Sequence, residues 1–261
     1  GGQATGADER TVEAFGENFP GAAAPTVNSA AITQGFEVRQ KIWNSGFFLQ
    51  NVFDVAGKYF LTVGTRVDGN SAFGKGFGLQ IYPKASASWI LSDESFYPDV
   101  GEMKLRAAFG RSGRAPGAFD AVRTWSPVGL AGNAAFVPEN VGNDNVGPEV
   151  TEELEYGFDA SWWDNRIETS FTYYEQITND ALLNVPQVPS TGFTNSVLTN
   201  IGKIQNVGFE LDLDAAVIQG AEWGLDVGLN YSTNDSKVLE LGIPETNSLR
   251  MDCGPNGNEG C

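Results

Sequence analysis

The feature that most constrains the fold of this chain is a strict alternation of apolar and polar residues. From Val207 the sequence reads VGFELDLDAAV, in which every second residue is apolar and acidic residues such as Glu210 fall between them. The segment WGLDVGLNYS, which starts at Trp223, repeats the pattern. A period of two puts successive side chains on opposite faces of a strand. The sequence therefore predicts two-faced β-strands of about ten residues each.

The same alternation predicts strands along most of the chain. They fall at 47–55, 59–68, 77–91, 103–112, 154–162 and 167–178, with a less regular one before or around 36–43. Helical periodicity is hard to find over comparable lengths, and no apolar run approaches the roughly 20 residues of a transmembrane helix. We expect an all-β, antiparallel fold of about eight or nine strands.

The connections between these strands alternate in length. Short or medium ones lie at 56–58, 92–102, 163–166 and 218–222, whereas the others are mostly long, at 70–76, 113–150, 179–205 and from 237 onward. A transmembrane β-barrel has this asymmetry, with short periplasmic turns and long extracellular loops. The pattern therefore favours a barrel.

Aromatic residues cluster beside the short and medium turns. Their amphipathic rings are typical of a membrane–water boundary. The residues are Tyr59, Trp89, Trp162, Trp163 and Trp223. The alternative is that these rings form the core of a soluble β-sandwich, such as an adhesin.

Composition argues against several function classes. The chain has 33 acidic and 16 basic residues, a formal net charge of −17, which disfavours binding to nucleic acid. It has no His, and its two cysteines therefore lack the His partner of a catalytic thiol, so we predict neither an enzyme nor a metal or cofactor site. Cys253 and Cys261 are close enough in sequence to form a disulfide loop in an oxidising compartment, although two reduced thiols are the alternative.

Four segments together resemble one known family. They are YFLTVGTRVDGNSAFG from Tyr59, YPKASASWILSDESF from Tyr82, WDNRIETSFTYYEQITNDALLNVPQVPSTGF from Trp163 and NIGKIQNVGFELDL from Asn200. In this order they resemble the SusC/RagA-type TonB-linked outer-membrane proteins. The resemblance implies part of a barrel that has 22 strands when complete. It assigns residues 1–45 to a strand end and extracellular loop, 46–234 to barrel strands and 235–261 to an extracellular loop, without a plug domain.

The alternation and the loops suggest which residues contact solute. Charged residues opposite the apolar set are predicted to face the lumen, as a wall for a polar solute or simply as a solvated interior that pairs with plug arginines. They are Arg66, Asp68, Glu155, Asp159, Glu168, Glu210, Asp212, Asp214 and Asp226. Substrate contacts are predicted at Phe119, Trp125, Phe136 and Phe193 in the long loops, where aromatic rings can instead pack loops against each other or against a lid.

The resemblance also implies a mechanism and partners. A polar nutrient such as an oligosaccharide or peptide binds from outside, often beneath a SusD-like surface lipoprotein, and the TonB energy-transducing complex drives import across the outer membrane of a Gram-negative bacterium. Outer-membrane lipid then surrounds the barrel. The alternative is a passive porin-like channel or a surface-binding barrel without energy coupling.

Overall fold

The computed structural model describes residues 1–21, 26–193, 195–220 and 222–242. In this part of the chain nearly all regular structure is β-strand. The strands are β1 Gly2–Glu17, β2 Ile32–Val55, β3 Tyr59–Asn70, β4 Gln80–Ile90, β5 Gly101–Arg114, β6 Thr124–Leu130, β7 Asn133–Asn140, β8 Glu149–Trp162, β9 Ile167–Asn179, β10 Leu182–Val185, β11 Val197–Asn200, β12 Lys203–Gln219 and β13 Gly224–Glu240. Among these residues no helix is long and apolar enough to cross a membrane.

Nine of these strands form one antiparallel sheet in the order β1-β2-β3-β4-β5-β8-β9-β12-β13. Two small hairpins, β6–β7 and β10–β11, are inserted in the long connections β5–β8 and β9–β12. Each strand pairs with the one before it in the sheet, which is the simple up-and-down topology of a barrel wall. The predicted all-β antiparallel fold and its strand number are confirmed.

Short and long connections lie at opposite ends of the sheet. The turns after β2, β4, β8 and β12 share one end, whereas the connections after β1, β3, β5 and β9 share the other. Ala56 and Gly57 in the first short turn have φ values of 59° and 67°, as a type I′ hairpin turn requires. We call the two ends the turn end and the loop end.

The N-terminal region differs from the expectation of a strand end followed by a loop. Residues 2–17 and 32–55 are two long strands, and the second merges the predicted strands at 36–43 and 47–55. β1 carries small and charged residues on both faces, so its sequence has no apolar stripe from which a period of two could be recognised. At the other end of the chain β13 continues to Glu240, beyond the predicted limit of 234.

Strand register divides the sheet into two faces, which we call inner and outer. Directly paired residues of antiparallel strands point to the same side. Arg66 therefore shares the inner face with Tyr82, and Val67 shares the outer face with Ile81. The outer face is apolar and uncovered, and Phe47, for example, is 73% exposed.

The outer face carries a run of aromatic contacts across four strands. Phe158, Phe171, Phe209 and Tyr231 follow one another on β8, β9, β12 and β13, with neighbouring ring centroids 5.8, 6.0 and 5.7 Å apart. Along β8 the apolar outer positions run from Leu154 to Trp162, which spans about 27 Å along the strand. At the tilt of about 35–45° of a barrel strand, this length covers about 20 Å of depth, which is most of the apolar band of about 25 Å in such barrels.

Candidate functional site

The nine charged residues predicted to face the lumen all lie on the inner face. Glu155 and Asp159 of β8 pair with Tyr174 and Ser170 of β9, and Ser170 in turn pairs with Asp212 of β12. Strand pairing places the remaining candidates on the same face. They are Arg66 and Asp68 on β3, Glu168 on β9, Glu210 and Asp214 on β12, and Asp226 on β13. The structure thus brings the nine together on one surface, and their exposure to a lumen stays a prediction.

Most of these residues line open depressions on that surface. One of them, near the turn end, has a volume of about 540 Å³ and includes Asp159, Glu168, Asp212 and Asp214. Glu155 and Glu210 line a second depression, and Arg66 and Asp68 line a third. The depressions of the inner face are therefore lined largely by polar side chains, whereas the outer face is apolar.

Arg106 organises the centre of the inner face by reaching across one strand to the next. Its Nε lies 3.3 Å from Asp159 Oδ1, and its Nη2 donates to Thr172 Oγ1 at 2.6 Å and to Ser170 Oγ at 3.2 Å. Gly157 lies between Arg106 and Thr172 in the register and has no side chain to block this path. One guanidinium therefore ties β5, β8 and β9 together.

Charge is unevenly distributed across the inner face. Strands β3, β4 and β5 carry Arg66, Lys84, Lys104 and Arg106 on this side. On β8, β9, β12 and β13, all fully described, the inner face has carboxylates but no Lys or Arg. The inner face thus has a mixed half and an acidic half.

The loop end is a packed cluster built from three connections. Val146 in the β5–β8 connection is fully buried, and most of the other buried apolar residues that the structure describes lie at the same end of the sheet. They are Ala72, Val150, Ala181, Phe193 and Val197. These residues come from the β3–β4, β5–β8 and β9–β12 connections and the strands beside them. Hydrogen bonds link the three connections into one unit, which we call the loop cluster.

Asparagine side chains satisfy the backbone inside the loop cluster. Asn200 accepts a hydrogen bond from Gly147 N at 2.6 Å and donates to the carbonyl oxygens of Gly147 and Asp180 at 3.0 and 3.1 Å. Asn143 donates to Leu198 O at 3.0 Å. Gly74 N also donates to Val146 O at 2.8 Å, which attaches the β3–β4 loop. Sequence reasoning missed these residues because an Asn in a loop is read as a turn former.

The four predicted substrate-contact residues have two different environments. Trp125 and Phe136 are 50% and 71% exposed and lie on the same face of the β6–β7 hairpin, together with Pro127. Phe193 is only 7% exposed and packs edge-on against Trp125, with ring centroids 5.6 Å apart. Phe119, in the β5–β8 connection just before this hairpin, is partly exposed. The structure therefore offers three accessible rings and one that supports them, and contact of any of them with substrate stays a prediction.

At the turn end, Glu94 is the centre of a group of polar contacts. Glu94 accepts hydrogen bonds from the Tyr59 hydroxyl at 2.6 Å and from Trp89 Nε1 at 3.2 Å, and Lys58 Nζ lies 3.7 Å away. The bond from Tyr59, followed by that from Trp89, lowers the pKa of the Glu94 carboxyl. Tyr59 and Trp89, which stack at 6.0 Å, are two of the aromatics predicted at a membrane boundary.

Among the described residues no group of three or more acidic side chains is placed to hold a metal ion. Cys253 and Cys261, the predicted disulfide pair, lie outside the described residues.

Comparison with known proteins gives one consistent result. The family model "TonB dependent receptor-like, beta-barrel" matches residues 3–251. TonB-dependent receptor P26 of Formosa agariphila is 33% identical over 208 residues, which cover 76% of this chain and 21% of that protein. TonB-dependent receptor SusC of Bacteroides thetaiotaomicron is 25% identical over 223 residues, which cover 80% of this chain and 22% of that protein. The chain thus spans about a fifth of the length of these curated relatives.

Solved structures agree on the fold. The RagAB peptide importer in its closed-closed state superposes with a TM-score of 0.79 over 93% of this chain and 28% of that one, at 17% sequence identity. Two further structures of RagAB give TM-scores of 0.74 and 0.70.

Proposed function

We propose a transport role for this chain on the premise that it belongs to the TonB-dependent receptor β-barrel family. The resemblance to SusC/RagA-type proteins in its sequence is thereby confirmed. The family consists of receptors and transporters rather than enzymes, and its barrels are outer-membrane proteins. The chain is then part of an importer that takes a polar nutrient, such as an oligosaccharide or peptide, across the outer membrane with energy from the TonB complex.

The observation that carries this proposal is the opposite polarity of the two faces of one sheet. An exposed apolar outer face of this extent is unstable in water and suits contact with lipid. The polar inner face, with its depressions, suits a passage for a hydrated solute or contact with a domain inside the barrel. A soluble β-sandwich would instead bury its apolar face against a second sheet.

Trp125 and Phe136 are the proposed first contacts for the nutrient. Both rings are exposed on one side of the β6–β7 hairpin, and Phe193 supports Trp125 from below. Flat aromatic surfaces can stack on sugar rings or on peptide side chains. The relatives named RagAB are described as peptide importers, which makes peptides one of the two classes to test first.

The alternative function is a passive channel or a surface-binding barrel. The test is uptake of labelled oligosaccharides and peptides by cells that carry the full-length protein, with and without TonB. An importer loses uptake when TonB is removed but keeps surface binding. Uptake that persists without TonB would establish the passive channel, and binding without any uptake would establish the surface receptor.

A paired substitution tests the loop contacts in the same assay. Trp125→Ala with Phe136→Ala removes both exposed rings, and we expect the apparent affinity to fall about tenfold or more. The control is Leu130→Ala, because Leu130 is similarly exposed but lies on the other face of the hairpin. Equal effects of the two variants would contradict the assignment of this face.

A SusD-like surface lipoprotein is the proposed extracellular partner, and the surrounding outer-membrane lipid contacts the outer face.

A further inference from the structure

The β1–β2 hairpin extends far beyond the rest of the sheet. β3 pairs with β2 only as far as Asn44. Within the described residues, 6–17 and 32–43 therefore pair only with each other in the sheet, and Trp43 alone is also hydrogen-bonded to Ser71, just after β3. At about 3.4 Å per residue this ribbon rises about 40 Å past its neighbour strand. We call residues 6–17 and 32–43 the arm.

The polarity of the outer face changes where the arm begins. Below the arm, the outer face of β2 carries Phe47, Leu49 and Phe53. In the arm, the outer face is charged, with Arg10 and Glu37 paired at 2.9 Å and Lys41 3.6 Å from Asp8. The register runs from Ile32 to Val55 without a shift, so a bulge does not cause the change. The outer face of the arm is therefore adapted to water rather than to lipid.

The inner face of the arm carries an exposed row of apolar side chains among polar ones. Phe15, Ile32, Phe36 and Val38 lie on it, each about half exposed. The rings of Phe15 and Phe36 meet edge-on with centroids 5.9 Å apart. A row of apolar side chains of this length on a ribbon that projects into water marks an interaction surface.

Acidic residues border this apolar row along β1. Glu9, Glu13 and Glu17 occupy inner positions of the arm, and the inner positions of its two strands include no Lys or Arg. A second copy of this chain would bring two acidic borders together, which is unfavourable. The surface instead suits a partner with an apolar patch beside Lys or Arg side chains.

We propose that the inner face of the arm is a docking surface for the extracellular lipoprotein partner of the transporter. This inference rests on the proposed function, and it adds where the partner binds and what chemistry its contact surface has. The partner covers Phe15, Phe36 and Val38 with apolar side chains and places basic side chains against the glutamates.

The test is site-specific photo-crosslinking of the full-length transporter in the outer membrane. A benzophenone amino acid replaces Phe36 on the inner face or Val12 on the outer face, since Val12 is at least as exposed as Phe36 and lies on the same arm. We expect a crosslink to the surface lipoprotein that co-purifies with the wild-type transporter from position 36, and none from position 12. A crosslink from position 36 only to the transporter's own chain, only to a second copy, or to nothing would overturn the proposal.

A second pair of variants measures the contribution of the surface to binding. Val38→Asn is expected to weaken binding of the purified lipoprotein about tenfold or more, whereas Val12→Asn leaves it unchanged. Equal effects would contradict the proposal. Uptake with and without TonB is measured in the same cells. If position 36 gives no crosslink to the lipoprotein but uptake still depends on TonB, only the docking surface is refuted. Uptake that does not depend on TonB would refute the proposed function.

Discussion

At the scale of single residues, glycines allow long side chains to lie flat on the inner face. A Cβ at Gly157 would come 2.0 Å from Phe171 O, so only glycine fits where β8 and β9 approach each other here. The same gap leaves the path by which Arg106 reaches Thr172. Tyr174 similarly lies over Gly208 and reaches Thr233 O at 3.3 Å. These glycines are required by close approach rather than by turn geometry.

Replacing Gly157 tests this requirement. Gly157→Ala forces the backbone of two strands apart, and we expect it to destabilise the barrel by about 1–3 kcal/mol. Gly110→Ala is the control, because a Cβ at Gly110 on the adjacent strand meets nothing within 4 Å. The measurement is the temperature at which the full-length barrel in detergent loses its compact electrophoretic mobility. Equal thermal shifts in the two variants would be inconsistent with this packing.

The sequence predicted on which face of a strand each residue lies, but not which side chains contact one another. A period of two is a local property, so VGFELDLDAAV is enough to separate Glu210 and Asp212 from Phe209 and Leu211. The bond from Arg106 to Thr172 also depends on the register of β5 against β8, two strands that a long connection separates in sequence. Such register is set by the whole sheet, and no single segment encodes it.

At the scale of elements, the loop cluster behaves as one preformed unit. Hydrogen bonds join its three connections, and Asn200 bonds to the backbone of two of them. Lengths of loops could be predicted because strands delimit them. The sequence did not predict three other elements, because their stability depends on neighbours rather than on an alternating pattern. They are the hairpins β6–β7 and β10–β11 and the long strand β1.

Asn200 is the residue whose loss most directly separates the loops. Asn200→Ala leaves the buried backbone groups of Gly147 without partners, at a cost of about 1–3 kcal/mol for each. We expect faster hydrogen exchange in segments 143–148 and 180–185, with exchange in β8 and β9 unchanged. Asn133→Ala at the exposed tip of the β6–β7 hairpin is the control. Unchanged exchange in both segments would show that Asn200 does not join them.

At the scale of the whole molecule, the chain is a nine-stranded wall with two faces rather than a unit closed around one core. Seven described apolar residues are buried, and most of them belong to the loop cluster rather than to the sheet. The large apolar outer face therefore needs lipid, and the inner face needs water or another domain. The sequence already predicted this architecture from alternation and loop lengths, whereas the arm and the changed polarity of its outer face emerge only when the pairing of β1 with β2 is known.

The most direct test of the two-faced wall is spin-label accessibility along β12 in the full-length protein. Single labels are placed in turn from Val207 to Asp214, after Cys253 and Cys261 are replaced by Ser, with the protein reconstituted in lipid. Phe209, Leu211 and Leu213 are predicted to be accessible to oxygen dissolved in the bilayer, and Glu210, Asp212 and Asp214 to a water-soluble nickel complex. Accessibility that does not alternate, or alternates with the opposite phase, would contradict the assignment of the outer face to lipid and the inner face to the barrel interior.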